Sequence, residues 1–304
     1  MKIFDLNNKN YKFLITGGTG FIGSRLVEAI KNQCSEITIL SRKNIISENK
    51  SISYVKNLDE KEFDYDVIIN LSGFKIASRW SKKNKAKIIE SRIGVTRKIV
   101  DKIKVANHKP TIFVSGSAIG HYGNNDQDSF IENSTIKKQN SFSQNLCFNW
   151  ENEAKKSENL TKLAIIRTGI VIGKEGGFLK QMLPIFKMGL GGKIGSGNQY
   201  LSWIHINDEI GAIIHIINNE LTGEFNLTSE NPVTNSKFSK ILAKSVKRAS
   251  FIKTPAIIMK LIFGKIAEEL ILNGQKILPQ RLLDKGYEFQ FNDIEKAIEF
   301  ELKK

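Results

Sequence analysis

The sequence predicts an α/β fold, with a doubly wound parallel sheet followed by a small α-rich C-terminal domain. A strand, a glycine-rich turn and a helix follow one another near the N-terminus. Further apolar strand patterns then alternate with helical patterns as far as residue 230, which is typical of a parallel sheet. From residue 231 the chain changes to short helical patterns. We therefore predict two domains, 11–230 and 231–304.

The glycine-rich turn is the clearest motif in the chain. A buried strand is predicted over 11–15 and an amphipathic helix over 24–31. Between them, Gly17 permits a tight turn, Gly20 lets the backbone approach a pyrophosphate, and Gly23 lets the helix pack against the strand. The helix N-terminus adds unpaired N–H groups. This pattern predicts a Rossmann-type dinucleotide site, with an ordinary βα turn as the alternative. The predicted contacts are Gly17, Thr19, Gly20, Phe21, Ile22 and Gly23.

The end of the second predicted strand, 36–40, indicates which dinucleotide binds. NAD sites usually place Asp or Glu here to accept a hydrogen bond from the ribose 2′-OH. This chain has Ser41, Arg42 and Lys43 instead. A guanidinium binds a 2′-phosphate in a fork, whereas a carboxylate would repel it. We therefore predict NADP in preference to NAD, with contacts from Ser41 and Arg42; a surface arginine is the alternative.

The next two predicted strands are 66–73 and 110–118. The first is nearly all apolar, as expected of a strand covered on both faces, whereas the second has hydroxyl residues and glycine at its exit. The carboxyl end of the first strand, Leu71, Ser72 and Gly73, should lie beside the cofactor at the point where the strand order reverses. A long helix is predicted over 81–105 and another over 141–156. Residues 124–140 are predicted to form a polar loop.

The middle of the second half is a glycine-rich segment, 173–197, which we predict to form loops around a short helix and to close over a ligand. Towards the C-terminus, Thr234 or Asn235 can cap a helix. Residues 287–291 alternate as an edge strand would, and Asn292 is the predicted cap of the final helix.

Composition excludes several classes of protein. The chain has 304 residues, 40% of them hydrophobic, and contains no apolar run long enough to cross a membrane. The polar start argues against a signal peptide. Two cysteines, Cys34 and Cys147, are too few for a disulfide framework or a metal site, so we predict no metal and a cytoplasmic location.

The formal net charge of +15 is open to two interpretations. Nucleic acid or a membrane surface would attract such a chain. There is no long basic tail and no interleaving of aromatic and basic residues, so we favour charges spread over solvated faces, with neither nucleic acid nor membrane as partner. A secondary hypothesis is that the charge attracts an anionic small-molecule substrate.

Together, these motifs resemble the extended short-chain dehydrogenase/reductase superfamily. Within it, the chain is most similar to an atypical NAD-dependent epimerase/dehydratase-like branch, whose members are often called nucleoside-diphosphate-sugar epimerases or cell division inhibitor-like proteins. The segments that carry the resemblance are 17–23, 70–73, 115–123, 167–169, 189–197, 202–208, 231–235 and 278–283. The resemblance covers residues 11–300, and the C-terminal part is similar to that branch's small domain of unassigned function. It implies further cofactor contacts from Ser115, Arg167, Thr168 and Gly169.

The resemblance also raises a doubt about catalysis. Active members use Ser or Thr together with a Tyr-x-x-x-Lys pair, in which the tyrosine moves a proton and the lysine lowers its pKa. Ser117 matches the serine, but Ser143 and Cys147 stand where the tyrosine and lysine belong. Tyr122 is the substitute candidate for proton donor, although a packing role for it is favoured.

Trp80 and Trp203 are predicted to flank a substrate. Two functions from different classes follow: an oxidoreductase or epimerase-like enzyme acting on a small molecule, or a non-catalytic NADP-binding redox sensor or regulator. A nucleic-acid binder, resting on charge alone, is the weakest hypothesis. By analogy with the superfamily, a homodimer through the two long helices is expected.

Overall fold

A computed structural model describes residues 5–8, 10–250 and 252–303, with the backbone alone for 125–127. The strands are β1 Lys12–Thr16, β2 Glu36–Leu40, β3 Ile52–Val55, β4 Val67–Asn70, β5 Ile112–Ala118, β6 Asn125–Phe130, β7 Lys162–Thr168, β8 Ile170–Ile172, β9 Gly192–Ile194, β10 Tyr200–Leu201, β11 Trp203–His205, β12 Gly223–Leu227, β13 Val233–Thr234, β14 Ile252–Thr254 and β15 Gln275–Ile277. The α-helices are α1 Phe21–Ile30, α2 Lys82–Ile89, α3 Val95–Val105, α4 Phe142–Lys155, α5 Gly177–Lys187, α6 Ile206–Asn218, α7 Asn235–Ser245, α8 Ala256–Phe263, α9 Gln280–Asp284 and α10 Ile294–Lys303.

Seven strands form the central sheet, in the order β12-β7-β5-β4-β1-β2-β3. Every pair of neighbours in it runs parallel. The chain moves outward from β1 through β2 to β3, and then crosses to β4 on the other side of β1. The strand order therefore reverses between β1 and β4, where open α/β sheets bind their ligands. The predicted fold class is confirmed.

Helices cover both faces of the sheet. Alternate strand residues such as Ile15 and Val114 belong to one core with α1 and α6. Their neighbours Leu14 and Phe113 belong to a second core with α3 and α4. Because side chains alternate across a strand, each buried strand supplies both cores, which explains its unbroken apolar sequence.

The helix predicted over 81–105 contains an irregularity. Ser81 caps α2 by accepting from the Asn84 amide at 3.3 Å. Between α2 and α3 the chain forms a π-helical turn, Glu90–Gly94. Such turns are rare and are often found at functional sites, and this one contains Arg92.

The region from residue 231 supplies strands as well as helices. β13 pairs with β10, β14 with β9, and β15 with β6. The prediction that 124–140 is wholly loop is therefore wrong. β6 has a mostly polar sequence, and its pairing partner lies nearly 150 residues further on, beyond the reach of a local pattern.

Two C-terminal predictions are also corrected. Residues 287–291 do not form a strand, because the amides of Gln290 and Phe291 donate to the Asp208 carboxylate at 2.7 and 3.0 Å. The cap of α10 is Asp293, whose carboxylate accepts from the Lys296 amide at 2.9 Å, and not Asn292. No helix within the described residues is long and apolar enough to cross a membrane.

Candidate dinucleotide site

The glycine turn lies at the carboxyl end of β1, where the strand order reverses. Gly17 has φ +73° and accepts from the Gly20 amide at 2.9 Å. A Cβ added at Gly17 would lie 2.5 Å from the Leu71 carbonyl oxygen, and one at Gly23 would lie 2.3 Å from the Gly17 oxygen. Both positions therefore require glycine, since real Cβ atoms do not approach backbone so closely. The turn holds strand and helix in close contact.

The N-terminus of α1 is open to a ligand. Gly20 is its cap residue, no side chain caps it, and its first turn contains no acidic residue. Thr19 and Gly20 are exposed. The first amides of the helix thus have no intrahelical acceptor and carry the positive end of the helix dipole, a combination that suits a pyrophosphate.

Phe21 connects this turn to the glycine-rich segment. A Cβ added at Gly176 would lie 2.2 Å from Phe21 Cγ, and one at Gly173 would lie 2.5 Å from its Cζ. The aromatic side chain therefore occupies the space that these glycines leave, while its backbone amide stays in the first turn of α1. Ile22 is half-buried beside it.

The end of β2 presents the predicted arginine. Ser41 is buried, and its hydroxyl accepts from the Lys43 amide at 3.2 Å. Arg42 is exposed. Within the described residues its guanidinium has neither an ion pair nor a hydrogen bond. A fixed serine followed by an uncommitted guanidinium fits a 2′-phosphate.

The strand neighbouring β1 contributes the other edge of the site. Leu71 donates its amide to the Thr16 oxygen at 3.0 Å, and Ser72 donates its amide to Asn70 Oδ1 at 3.3 Å. Gly73 is exposed and lies beneath the Arg92 guanidinium, which a Cβ would approach within 2.9 Å. The predicted segment 71–73 thus lies directly beside the glycine turn.

A buried polar row runs along this edge of the sheet on the α3/α4 face. Thr16 donates to Asn70 Oδ1 at 2.5 Å, and Asn70 donates to Thr96 Oγ1 at 2.8 Å. Trp150 donates its indole N–H to the same Thr96 oxygen at 2.9 Å. Ser115 pairs in register with Asn70, and its buried hydroxyl has no hydrogen-bond partner among the described residues.

The row continues into a charged cluster around Glu151 of α4. Its carboxylate accepts from Ser117 Oγ at 2.6 Å and from Arg167 Nε and Nη2 at 3.0 and 2.9 Å. His121 Nδ1 lies 3.2 Å from Oε1. Burial alone would raise the pKa of Glu151, but His121 and Arg167 outweigh it and lower that pKa to about 2. Glu151 is therefore a buried anion, neutralised mainly by Arg167.

Tyr122 belongs to the same cluster. Its side chain is 1% exposed, its hydroxyl donates to Asn226 Oδ1 at 2.6 Å, and it accepts from Arg167 Nη1 at 3.0 Å. Burial raises the pKa of Tyr122 to about 12. The structure brings Ser117, Tyr122 and Arg167 together. Their hydrogen-bonding groups, however, are already occupied by protein partners, mainly Glu151 and Asn226.

The positions that replace the Tyr-x-x-x-Lys pair cannot substitute for it. Ser143 donates to Glu269 Oε2 at 2.7 Å, so its hydroxyl is committed to the C-terminal region. Cys147 is buried, and burial raises the pKa of its thiol to about 12. Neither group is placed to lower the pKa of a proton donor.

The two tryptophans predicted to flank a substrate have different environments. Trp203 is fully buried, and its indole N–H donates to the Asn231 oxygen at 2.9 Å. As packed, it presents no face to a ligand. Trp80 is half-buried, held by its N–H bond to the Ile76 oxygen at 2.8 Å and packed edge-on against Phe142 at 4.9 Å between ring centroids.

Two further polar residues, Glu209 and Arg92, lie at this edge of the sheet. Thr168 donates to Glu209 Oε1 at 2.8 Å. Glu209 is fully buried on α6, and burial raises its pKa to about 8. Arg92 donates to the Phe74 oxygen at 3.1 Å and stacks over Trp150, with no carboxylate partner among the described residues. A Glu in a helix otherwise lined with isoleucine was the available signal for Glu209.

This geometry defines a nucleotide-binding domain of the short-chain dehydrogenase/reductase type, and comparison with known proteins identifies the family. The model of the NAD dependent epimerase/dehydratase family matches residues 13–227, and that of a domain of unknown function, DUF1731, matches 254–301. An epimerase family protein of Staphylococcus aureus (strain MRSA252) is 37% identical over 298 residues, covering 95% of this chain and 98% of the relative. The chain therefore belongs to the NAD-dependent epimerase/dehydratase family, as the sequence motifs predicted.

Further relatives show to which branch of the family the chain is similar. The chloroplastic epimerase family protein SDR39U1 homolog of Arabidopsis thaliana is 36% identical over 296 residues, covering 93% of this chain and 84% of the relative. A crystal structure of human SDR39U1 (isoform 2) with NADPH superposes with a TM-score of 0.86 at 28% identity, covering 96% and 99% of the two chains. A dTDP-glucose 4,6-dehydratase of Streptomyces venezuelae, at 17% identity and TM-score 0.75, shares the fold. The atypical branch inferred from the motifs is confirmed.

Proposed function

We propose that this protein binds NADPH and transfers hydride between it and a small molecule that lies beside the 71–80 loop. The observation that carries the proposal is the uncommitted Arg42 at the end of β2, together with the glycine turn that would hold the pyrophosphate. The human relative crystallised with NADPH supports the choice of cofactor. NAD is disfavoured because the end of β2 has no carboxylate for the 2′-OH.

Each part of the site has a distinct binding role in this proposal. The 17–23 turn and the α1 N-terminus hold the pyrophosphate, and Ser41 with Arg42 holds the 2′-phosphate. Segments 71–73 and 167–169, with Ser115, border the remainder of the dinucleotide. When bound, NADPH supplies a hydride. The chain must then orient the substrate and move one proton.

Ser117 is the proposed group that polarises the substrate oxygen. Its hydroxyl hydrogen is held by Glu151, so it must rotate away from that carboxylate to donate to a substrate. Tyr122 is the proposed proton donor. With its pKa raised to about 12 it stays protonated at neutral pH, and it must exchange Asn226 for the substrate before it can donate. Trp80 is the remaining proposed substrate contact.

The same network favours a second candidate function, a non-catalytic NADP-binding sensor or regulator. Ser143 and Cys147 replace the proton-moving pair, and both Ser117 and Tyr122 are buried in hydrogen bonds to protein partners. A protein of this kind would still bind the cofactor, while Ser117 and Tyr122 would serve only to stabilise the folded protein.

One experiment separates the two functions. The protein is titrated with NADPH, and oxidation of the bound cofactor is then followed by absorbance in the presence of a panel of small anionic aldehydes and ketones. Oxidation that Ser117→Ala abolishes, with NADPH affinity unchanged, supports the enzyme. Binding without oxidation across the panel supports the sensor, and absence of NADPH binding contradicts both.

A further inference from the structure

A cavity of about 800 Å³ lies between the loop after β4 and the C-terminal region. One wall comes from residues 77–85 and the facing wall from residues 261–266. This volume is within the roughly 300–1,000 Å³ typical of small-molecule sites. The cavity therefore lies between the loop that follows β4, where the cofactor is proposed to bind, and the C-terminal domain of unknown function.

The C-terminal wall is unusually apolar for an exposed surface. Leu261, Ile262 and Phe263 are 80%, 66% and 41% exposed, at the end of α8. Burying side chains of this kind is favourable, and contiguous exposed apolar patches mark binding sites. Trp80, whose position is fixed by Ile76 and Phe142, continues this apolar surface on the opposite wall.

The charged residues lining the cavity all have the same sign. They are Arg79, Lys85 and Lys265, and no acidic residue is among the described lining residues. Lys85 Nζ lies 4.6 Å from the Phe142 ring centroid and 5.6 Å from that of Trp80. It makes no ion pair with a described carboxylate. The cavity thus pairs an apolar surface with uncompensated positive charge.

Two carboxylates of the C-terminal region, Glu268 and Glu269, form no ion pair with these cations. Glu268 pairs with Lys260 at 3.1 Å, outside the lining. Glu269 accepts from the amides of Phe142 and Ser143 at 3.2 and 2.9 Å, where it caps α4. Both acids have partners other than Arg79, Lys85 and Lys265, and no described carboxylate forms an ion pair with these three cations.

We propose that this cavity binds a small molecule with an anionic head group and a single aliphatic chain. The head group pairs with Arg79 and Lys85, and the chain covers Leu261, Ile262 and Phe263 beside Trp80. The inference deepens the proposed function by naming its substrate class, and it rests on that function for turnover. Binding itself needs only the cavity.

The test uses monododecyl phosphate below its micelle-forming concentration, with titration followed by calorimetry and tryptophan fluorescence. We expect saturable binding of one molecule per chain, at least about tenfold tighter than inorganic phosphate or the neutral dodecyl maltoside. Leu261→Ser and Arg79→Gln should each weaken it by at least about fivefold. The matched control is Ile257→Ser, because Ile257 is 67% exposed on the same helix but does not line the cavity.

Three results would overturn the proposal. Equal weakening by Ile257→Ser would mean general adsorption to α8. Co-sedimentation with phosphatidylglycerol vesicles without binding of the monomeric amphiphile would assign α8 to a membrane surface, and self-association through α8 that blocks the amphiphile would assign it to a second copy. A parallel NADPH titration keeps the two claims separate, since amphiphile binding without NADPH binding contradicts only the proposed function.

Discussion

Replacing Glu151 by Gln removes the charge that balances Arg167 inside the protein while preserving shape. Both side chains are almost fully buried, at 2% and 4% exposure, and two N–H groups of Arg167 donate to the carboxylate. Removing one partner of a buried pair leaves the other charge uncompensated, which typically costs about 3–5 kcal/mol. We therefore expect Glu151→Gln to lower the free energy of unfolding by about 3–5 kcal/mol at neutral pH.

The lowered pKa of Glu151 also predicts how the stability of the protein depends on pH. Its pKa falls from an ordinary 4.5 to about 2 in the folded protein, because His121 and Arg167 outweigh the effect of burial. A carboxyl with a lower pKa in the folded state stabilises the protein fully above pH about 4.5 and loses that contribution as the pH falls towards 2. Acid should therefore destabilise the wild type in the same direction as the substitution does at neutral pH, because both remove the charge of Glu151.

Urea unfolding of wild type and Glu151→Gln between pH 7 and pH 2 measures both effects. The matched control is Glu295→Gln, since Glu295 pairs with Lys244 at 2.8 Å on the surface and that lysine is 77% exposed. The control should change stability by less than about 1 kcal/mol. A loss at neutral pH no larger for Glu151→Gln than for Glu295→Gln, or an unchanged slope between pH 4.5 and 2, would refute the reasoning.

Three further outcomes follow from the site. Gly20→Ala should weaken NADPH binding by at least about tenfold in calorimetry, because its Cβ would occupy the space through which the backbone is predicted to approach the pyrophosphate. It should lower thermal stability less than Gly23→Ala does, since its Cβ would lie 3.1 Å from the Gly17 oxygen, a tight contact but not an overlap. Equal NADPH affinity would contradict the predicted pyrophosphate approach. Gly23→Ala should lower both stability and NADPH affinity, since its Cβ would lie 2.3 Å from that oxygen; a wild-type melting temperature would contradict this. Cys147 should resist iodoacetamide at pH 8 until the protein unfolds, because burial raises its pKa to about 12; rapid alkylation of the native protein would show that the thiol is accessible.

The prediction of the cofactor site rests on short local motifs in the sequence. Gly17 and Gly23 are readable because a tight turn and a close helix–strand contact are decided within eight residues of chain. Arg42 is readable because its place at the end of β2 follows directly from the strand pattern. These are the residues on which the cofactor proposal depends.

Burial depends on distant partners, which a single sequence does not reveal. Tyr122 closes onto Asn226, 104 residues further on, and Trp203 is packed in a core with α7 and α10. The partnership of Glu151 with Arg167 needs α4 and β7 to be placed side by side. The aromatic and hydroxyl residues beside the glycines therefore predicted a functional site, but the structure buries Tyr122 and Trp203 in the protein core.

The central claim is that Arg42 selects NADPH, and the most direct test is calorimetric titration of wild type and Arg42→Ala with NADPH and NADH. A charge-assisted hydrogen bond to a phosphate is worth about 1.5–3 kcal/mol. We expect Arg42→Ala to weaken NADPH binding about 10- to 100-fold and to leave NADH binding unchanged, with the exposed Lys50→Ala as a control that changes neither. Equal loss of both cofactors, or wild-type affinity for NADPH in Arg42→Ala, would contradict the account.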